Sequence, residues 1–101
     1  MGKFSKAIDS YKNVLAIKPD FAEMHNNLGV LLQEQNKLSE AKRHLESALN
    51  IMPDFKEAHN NLGNLLKALG DSKEAVKSYQ KAISIDSKYV DAYDNLASAF
   101  S

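Results

Sequence analysis

The stretch that decides the fold is KPDFAEMHNNLG at residues 18–29, because it returns almost unchanged as MPDFKEAHNNLG at residues 52–63. The two copies lie 34 residues apart, and a looser third copy, KYVDAYDNLA, occupies residues 88–97. Residues 20–53 align with residues 54–87 without a gap and share 14 identical positions. A repeat of this length predicts stacked structural units, since each unit buries its apolar face against its neighbours.

Composition limits the class of protein. The chain has 101 residues, enough for one packed domain, which the repeat predicts to be rod-like. Its 13 basic and 13 acidic residues balance, so there is no excess positive charge to attract nucleic acid or an acidic membrane. It contains no cysteine, and no apolar run approaches the length of a spanning helix or a signal peptide. We therefore expect a cytoplasmic protein with neither nucleic acid nor a membrane as partner.

Apolar residues recur at helical spacing within each repeat, which predicts two helices per repeat and an all-α fold. Pro19 and Pro53 are expected to end the second helix of a repeat, because proline cannot continue a helix. No strand pattern interrupts this reading. The predicted helices cover residues 4–17, 21–34, 38–51, 55–68, 72–85 and 89–100.

Two kinds of local signal mark the helix boundaries. Gly2, Asn36 and Gly70 fall at equivalent places between helices, where a tight turn needs a residue that tolerates the left-handed conformation. Asp20 and Asp54 each precede a glutamate by three residues, a spacing that resembles a capping box and predicts a helix start.

The same residues carry a resemblance to the tetratricopeptide repeat (TPR), whose pattern is W-x2-L-G-x2-Y, then A-x3-F, then P. Histidine or tyrosine replaces the tryptophan, Ser87 replaces the second proline, and Ala97 replaces a glycine. The residues LGNLLKALG at 62–70 look most like the repeats that precede the catalytic region of O-linked N-acetylglucosamine transferase. The matching positions are His25, Leu28, Gly29, Leu32, Ala41, Leu45, Ala48 and Pro53, then His59, Leu62, Gly63, Leu66, Ala75, Tyr79 and Ala82.

The resemblance implies an α-α superhelix, or solenoid, of TPR hairpins with about three repeat equivalents. Residues 1–19 would form the second helix of a partial repeat, residues 20–53 and 54–87 two full repeats, and residues 88–101 a first helix. Helix axes about 8–10 Å apart require small residues at the crossings, and the glycine and alanine residues that recur in both repeats supply them. Leu28, Leu45, Leu62 and Tyr79 are expected to fill the interior.

In this family the first helix of each hairpin lines a concave groove. The first-helix segments sum to a charge of −4 and the second-helix segments to +4. Asn27, Asn61 and Asn95 recur once per repeat, and amides can pair with the backbone of an extended peptide whatever its side chains are. The alternative is that these asparagines only tolerate exposed sites or bond to a neighbouring helix. The expected groove wall also contains Glu23, Asn26, Glu57, Asn60, Asn64 and Asp91.

Some members of the family bind the terminal carboxylate of chaperones through lysine and arginine side chains. Here those places hold acidic or amide residues, so a terminal carboxylate would be repelled. The predicted partner is therefore an extended protein or peptide segment that is neutral or basic. A nucleic-acid reader is disfavoured, because it would need a basic, aromatic-lined inner face.

The sequence predicts no enzyme, no cofactor and no metal site. His25, His44 and His59 are the only histidines, and no acidic residue accompanies them at the spacing of a helical metal motif. The repeat places His25 and His59 where the family carries its tryptophan, so packing is the expected role. No serine has a neighbouring base, and no glycine-rich loop follows a strand.

The two ends of the repeat array suggest a second hypothesis, self-association. The chain begins with a second helix and stops after a first helix, whereas helical arrays usually close with a polar capping helix. Another copy could then stack end to end or exchange a terminal helix. A fragment of a longer protein would show the same ends. The residues expected to lack their hairpin partners are Phe4, Ala7 and Tyr11 at one end and Leu96, Ala97 and Phe100 at the other.

Overall fold

A computed structural model describes the backbone of residues 2–100 and the side chains of residues 4–100. Within that range the fold is all-α, without strands, as predicted, and each predicted helix is present with its ends within two residues. The contacts divide the chain into two compact units, Met1–Pro53 and Asp54–Ser101. The helices are α1 (Gly2–Ile17), α2 (Ala22–Glu34), α3 (Leu38–Ile51), α4 (Lys56–Ala68), α5 (Ser72–Ile85) and α6 (Val90–Ala99).

The first unit is built on the packing of α2 against α3, with α1 packed on α2. Leu28 and Leu32 of α2 and Leu45 of α3 are fully buried. The two helices approach closely at Gly29, where an added Cβ would lie 2.8 Å from the Leu45 Cγ atom. The prediction that Gly29 permits a close crossing is therefore confirmed.

The second unit packs α4 against α5, and α6 contacts both helices. Tyr79 and Leu65 are fully buried, and an added Cβ on Gly63 would lie 2.5 Å from the Tyr79 Cε1 atom. Leu62 was expected in the interior but is only half-buried, at the edge of a cluster that contains Leu66 and Tyr79. The fully buried place in α4 belongs instead to Leu65, one helical turn further along.

Two of the three predicted left-handed turns occur. Asn36 has a φ of 61° and Gly70 a φ of 87°, and these follow α2 and α4 respectively. After α2 the Lys37 amide donates to the Leu32 carbonyl, and after α4 the Asp71 amide donates to the Leu66 carbonyl, both at 2.8 Å. Each bond closes the end of its helix as in a Schellman motif. Gly2 differs from the prediction, because it is the first residue of α1 and not a turn residue.

The prediction that Asp20 and Asp54 cap the first helices is wrong. The N-cap residues are Phe21 and Phe55, in extended conformation, and neither helix has a side-chain cap hydrogen bond. Tyr89 holds the same place before α6 with nearly the same φ and ψ. The aromatic residue's carbonyl accepts the first helical amide bonds, so the helix begins one residue later than the aspartate pattern suggested.

A true side-chain cap occurs at α5. The Asp71 Oδ1 atom accepts a hydrogen bond from the Glu74 backbone amide at 3.2 Å. This bond satisfies one of the amides that a helix start leaves without a partner. The aspartate-to-glutamate spacing therefore forms a cap at the second helix of this repeat and not at the first.

Candidate peptide-binding surface

In the first unit, α2 carries three of the predicted surface residues. Glu23 and Asn27 are exposed and lie four residues apart, so they share one face of the helix one turn from each other. Asn26 is buried, on the face that packs. The first unit therefore presents one carboxylate and one amide to solvent, while the adjacent amide is part of the interior.

In the second unit, the structure brings two of the predicted asparagines into contact. The Asn95 Nδ2 atom on α6 donates to the Asn60 Oδ1 atom on α4 at 3.0 Å. Asn60 is buried, whereas Asn95 and the neighbouring Asn61 are half-buried. The repeated asparagines thus differ in environment, because one is exposed, one is half-buried and one bonds to an adjacent helix.

Asn64 of α4 also takes part in helix packing. The Tyr79 hydroxyl of α5 donates to the Asn64 Oδ1 atom at 2.7 Å, and the Tyr79 ring is fully buried. Burial raises the pKa of the Tyr79 phenol, so the hydroxyl remains a donor at neutral pH. The bond fixes the Asn64 amide and leaves its nitrogen, with two hydrogens, as the remaining donor.

Two acidic residues of the second unit act on an aromatic residue that was not predicted as part of the site, Tyr89. Burial raises the pKa of Tyr89, and the negative charges of Glu57 and Asp91 raise it further. Both carboxylates are exposed, and they act on the same ring from α4 and α6. Lys56 is bonded to Asp86 at 2.5 Å and lies over the Tyr89 ring at 5.2 Å, and its charge lowers the Tyr89 pKa. The repeat register, which aligns Tyr89 with Phe21 and Phe55, was the available signal for its position.

The residues predicted for self-association occupy different environments. Phe4, Ala7 and Tyr11 of α1 are half-buried. Leu96 is half-buried as well, because it packs against the cluster that contains Tyr79, although it was expected to lack a partner. The side chain of Phe100 is 71% exposed.

The described residues contain no group of three or more histidine, cysteine, aspartate or glutamate side chains arranged to hold a metal ion. Among the helices that the structure describes, none combines the length and apolar character needed to cross a membrane.

Comparison with known proteins identifies the repeat. The family model described as TPR repeat matches residues 1–36 and 32–70, and the model described as tetratricopeptide repeat matches residues 57–89. None of the curated proteins matches the sequence significantly.

Solved structures match the fold over almost the whole chain. The first TPR of Spaghetti (RPAP3) bound to HSP90 peptide SRMEEVD is similar over 98% of this chain and 79% of its own, with a TM-score of 0.93 and 21% identity. Two crystal structures of MamA match 98% and 96% of this chain, with TM-scores of 0.89 and identities of 27% and 25%. This chain spans only 58% and 53% of those two. The all-α repeats and these matches show that the chain belongs to the tetratricopeptide repeat family.

Proposed function

We propose that this protein is a protein-interaction scaffold that binds an extended peptide segment on the first helices of its repeats. Asn27, Asn61 and Asn95 would contact the peptide backbone. The observation that best supports this is the exposure of Asn27 beside Glu23 on α2, together with the exposed Glu57 and Asp91 on α4 and α6. The TPR solved with a bound peptide and the resemblance to transferase repeats support the same function.

The amide chemistry explains how a peptide of varied sequence could be held. A side-chain amide offers both a donor and an acceptor, and a peptide backbone presents both at every residue except proline. Asn95 donates one of its two N–H groups to Asn60, so its oxygen remains to accept a backbone N–H. Bonds of this kind are independent of the ligand's side chains.

The exposed acids determine which ligand charge we expect. Glu23 in the first unit and Glu57 and Asp91 in the second are all exposed on first helices. The peptide bound by the related TPR, SRMEEVD, contains two glutamates and one aspartate. Like charges at short range repel, so we expect this chain to prefer neutral or basic segments over that peptide.

The amides are tested by a binding measurement on the full chain. A peptide array identifies a binding segment, and fluorescence anisotropy then gives its Kd for the wild type and for Asn27→Ala, Asn61→Ala and Asn95→Ala. We expect each substitution to weaken binding by about threefold to tenfold, the usual effect of losing one hydrogen bond. Asn50→Ala is the matched control, because Asn50 is exposed on the second helix α3. Unchanged Kd values for all three groove variants would remove the asparagines from the proposal.

The charge preference is tested with two peptides of equal length, SRMEEVD and the charge-reversed SRMKKVK. We expect tighter binding of the basic peptide, and we expect the difference to shrink as salt is added. The variant Glu57→Gln/Asp91→Asn should also reduce the difference. Tighter binding of SRMEEVD by the wild type would contradict the predicted ligand class.

Self-association remains a second candidate because α6 presents an apolar stripe. Val90, Tyr93 and Phe100 are 65%, 46% and 71% exposed and, with Ala97, follow helical spacing along one face. Another copy that covers this stripe with its α1, which carries Phe4, Ala7 and Tyr11, would make the contact heterologous and able to propagate. Equilibrium sedimentation tests this candidate, with Val90→Ser/Phe100→Ser as the variant. A monomer at high micromolar concentration would exclude it.

A further inference from the structure

Two histidines of the first unit face each other between α2 and α3. The Nδ1 atoms of His25 and His44 are 3.1 Å apart, and the His25 Nε2 atom lies 2.8 Å from the carbonyl oxygen of Pro19. Both rings are half-buried. A continuous chain of hydrogen bonds therefore joins the turn after α1 to α2 and then to α3.

The partners fix the proton positions in this chain. A carbonyl oxygen only accepts, so His25 must carry its proton on Nε2. A neutral imidazole has one N–H, which leaves the His25 Nδ1 atom as an acceptor. His44 must therefore donate from its own Nδ1 atom and carry its lone pair on Nε2.

The ring positions suit a proton between the two nitrogens and not a metal ion. The two Nδ1 atoms are 3.1 Å apart and the two ring centroids are 5.3 Å apart. The centroids can be this far apart only if both Nδ1 atoms lie close to the line that joins them, so the rings face each other edge to edge through these atoms. A metal ion on that line would need about 2.0–2.1 Å to each nitrogen. The gap is too short for two such bonds and has the length of one N–H···N hydrogen bond.

The pair can take up one proton without breaking, but not two. A first proton can bind the free Nε2 atom of His44, and the charged ring still donates from Nδ1. A second proton would have to bind His25 at Nδ1, which places two N–H groups head-on at 3.1 Å. The contact would then have to open.

The charges around the pair make protonation harder in the folded state. Burial lowers the pKa of His44, and the charge of His25, when that ring is protonated, acts in the same direction. Arg43 on α3 and Lys12 on α1 also lower it, whereas Glu40 on α3 raises it. Glu40 is itself paired with Lys12 at 3.2 Å, so its effect is partly offset.

We propose that the His25–His44 pair is an acid-sensitive latch that fastens the Pro19 turn, α2 and α3 at neutral pH and releases them when both rings are protonated. The unfolded chain binds a proton at each histidine near its ordinary pKa of about 6.5, whereas the latched state excludes at least one. Stability is then fully present above that pH and is lost as the pH falls below it. The latch does not depend on the proposed peptide binding.

The second repeat supplies a matched control. The repeat register places His59 at the position of His25 but Ser78 at the position of His44. His44→Ser therefore gives the first repeat a residue that the same fold already accommodates.

The experiment combines nitrogen-15 NMR of the histidines with urea unfolding of the full chain between pH 7.5 and pH 5. In the wild type we expect protons on His25 Nε2 and His44 Nδ1 at neutral pH. Between pH 6.5 and pH 5.5, the unfolding equilibrium constant should rise about fivefold more in the wild type than in His44→Ser, the effect of excluding one proton whose pKa in the unfolded chain is about 6.5. Protonation of His44 on Nε2 at neutral pH, or equal pH dependence of the two proteins, would overturn the proposal. If the variant does not fold, the proton positions on His25 and His44 of the wild type decide the question.

Discussion

Replacing Gly63 by alanine tests whether the close crossing of α4 and α5 constrains the fold. The new Cβ would lie 2.5, 2.7 and 2.9 Å from the Cε1, Cδ1 and Cζ atoms of Tyr79. These distances are well below the roughly 3.5 Å of a favourable carbon–carbon contact. The ring is fully buried and its hydroxyl is bonded to Asn64, so it cannot turn aside without losing that bond.

The expected cost follows from three opposing terms. Alanine favours a helix interior over glycine by about 1 kcal/mol. Overpacking costs about 1–3 kcal/mol, and loss of the hydrogen bond between Tyr79 and Asn64 costs about 1 kcal/mol more. We therefore expect Gly63→Ala to lower the free energy of unfolding by about 1–3 kcal/mol, with a Tm decrease of about 4–8 °C per kcal/mol.

Urea and thermal unfolding, followed by circular dichroism, measure this effect. The control is the same substitution in a Tyr79→Leu background, because leucine is the residue that packs against glycine in the first repeat, where Leu45 meets Gly29. The nearest leucine atom in the first repeat would lie 2.8 Å from the added Cβ, further than the 2.5 Å of the tyrosine ring, and leucine has no hydrogen bond to lose. Alanine should therefore cost less there, and the two substitutions should not be additive. A Gly63→Ala protein as stable as the wild type, or strictly additive free energies, would refute the steric explanation.

Substitutions at four further residues test single features of the fold. Gly70→Ala should destabilise by about 1–2 kcal/mol, because Gly70 has a φ of 87°, whereas Gly70→Asn should cost less in urea unfolding. Asp71→Ala should lower thermal stability by about 1 kcal/mol through loss of the α5 cap. Asp54→Ala should change it by less than about 0.5 kcal/mol, since α4 has no side-chain cap. Lys56→Met should raise the pKa of Asp86, which the Lys56 hydrogen bond lowers, in carbon-13 NMR. Because that pKa is below its unfolded value of about 3.9, the pair stabilises above that pH and is lost as the pH falls further.

The helices could be predicted from the sequence because their signals are local. Apolar spacing sets each helix, and a left-handed residue follows α2 and α4, so Asn36 and Gly70 could be assigned to turns without knowledge of the fold. The glycine at each crossing was also readable, since Gly29 and Gly63 recur at one register. The N-cap residues of α2 and α4 were not, because the extended aromatic residue and the preceding aspartate compete for that position, and the aromatic residue occupies it.

The environment of the asparagines could be predicted only in part. In each Asn-Asn pair the first residue is buried, and helical spacing gave the signal, since Asn26 lies four residues after Ala22 and three before Gly29, both buried. The bond from Asn95 to Asn60 could not be read in the same way. It depends on how α6 lies against α4, and no pattern within one helix specifies that contact.

The two repeats fasten their hairpins with different chemistry, although their sequences share one pattern. At adjacent positions of the second helix, the first repeat carries His44 and Leu45 where the second carries Ser78 and Tyr79. The polar bond between helices is therefore His25 to His44 in one hairpin and Tyr79 to Asn64 in the other. Only the first of these joins two imidazoles, the side chains whose ordinary pKa is nearest to neutrality, whereas burial raises the pKa of Tyr79 further above neutrality. Mild acid should therefore weaken the α2–α3 hairpin while leaving the bond between α4 and α5 intact.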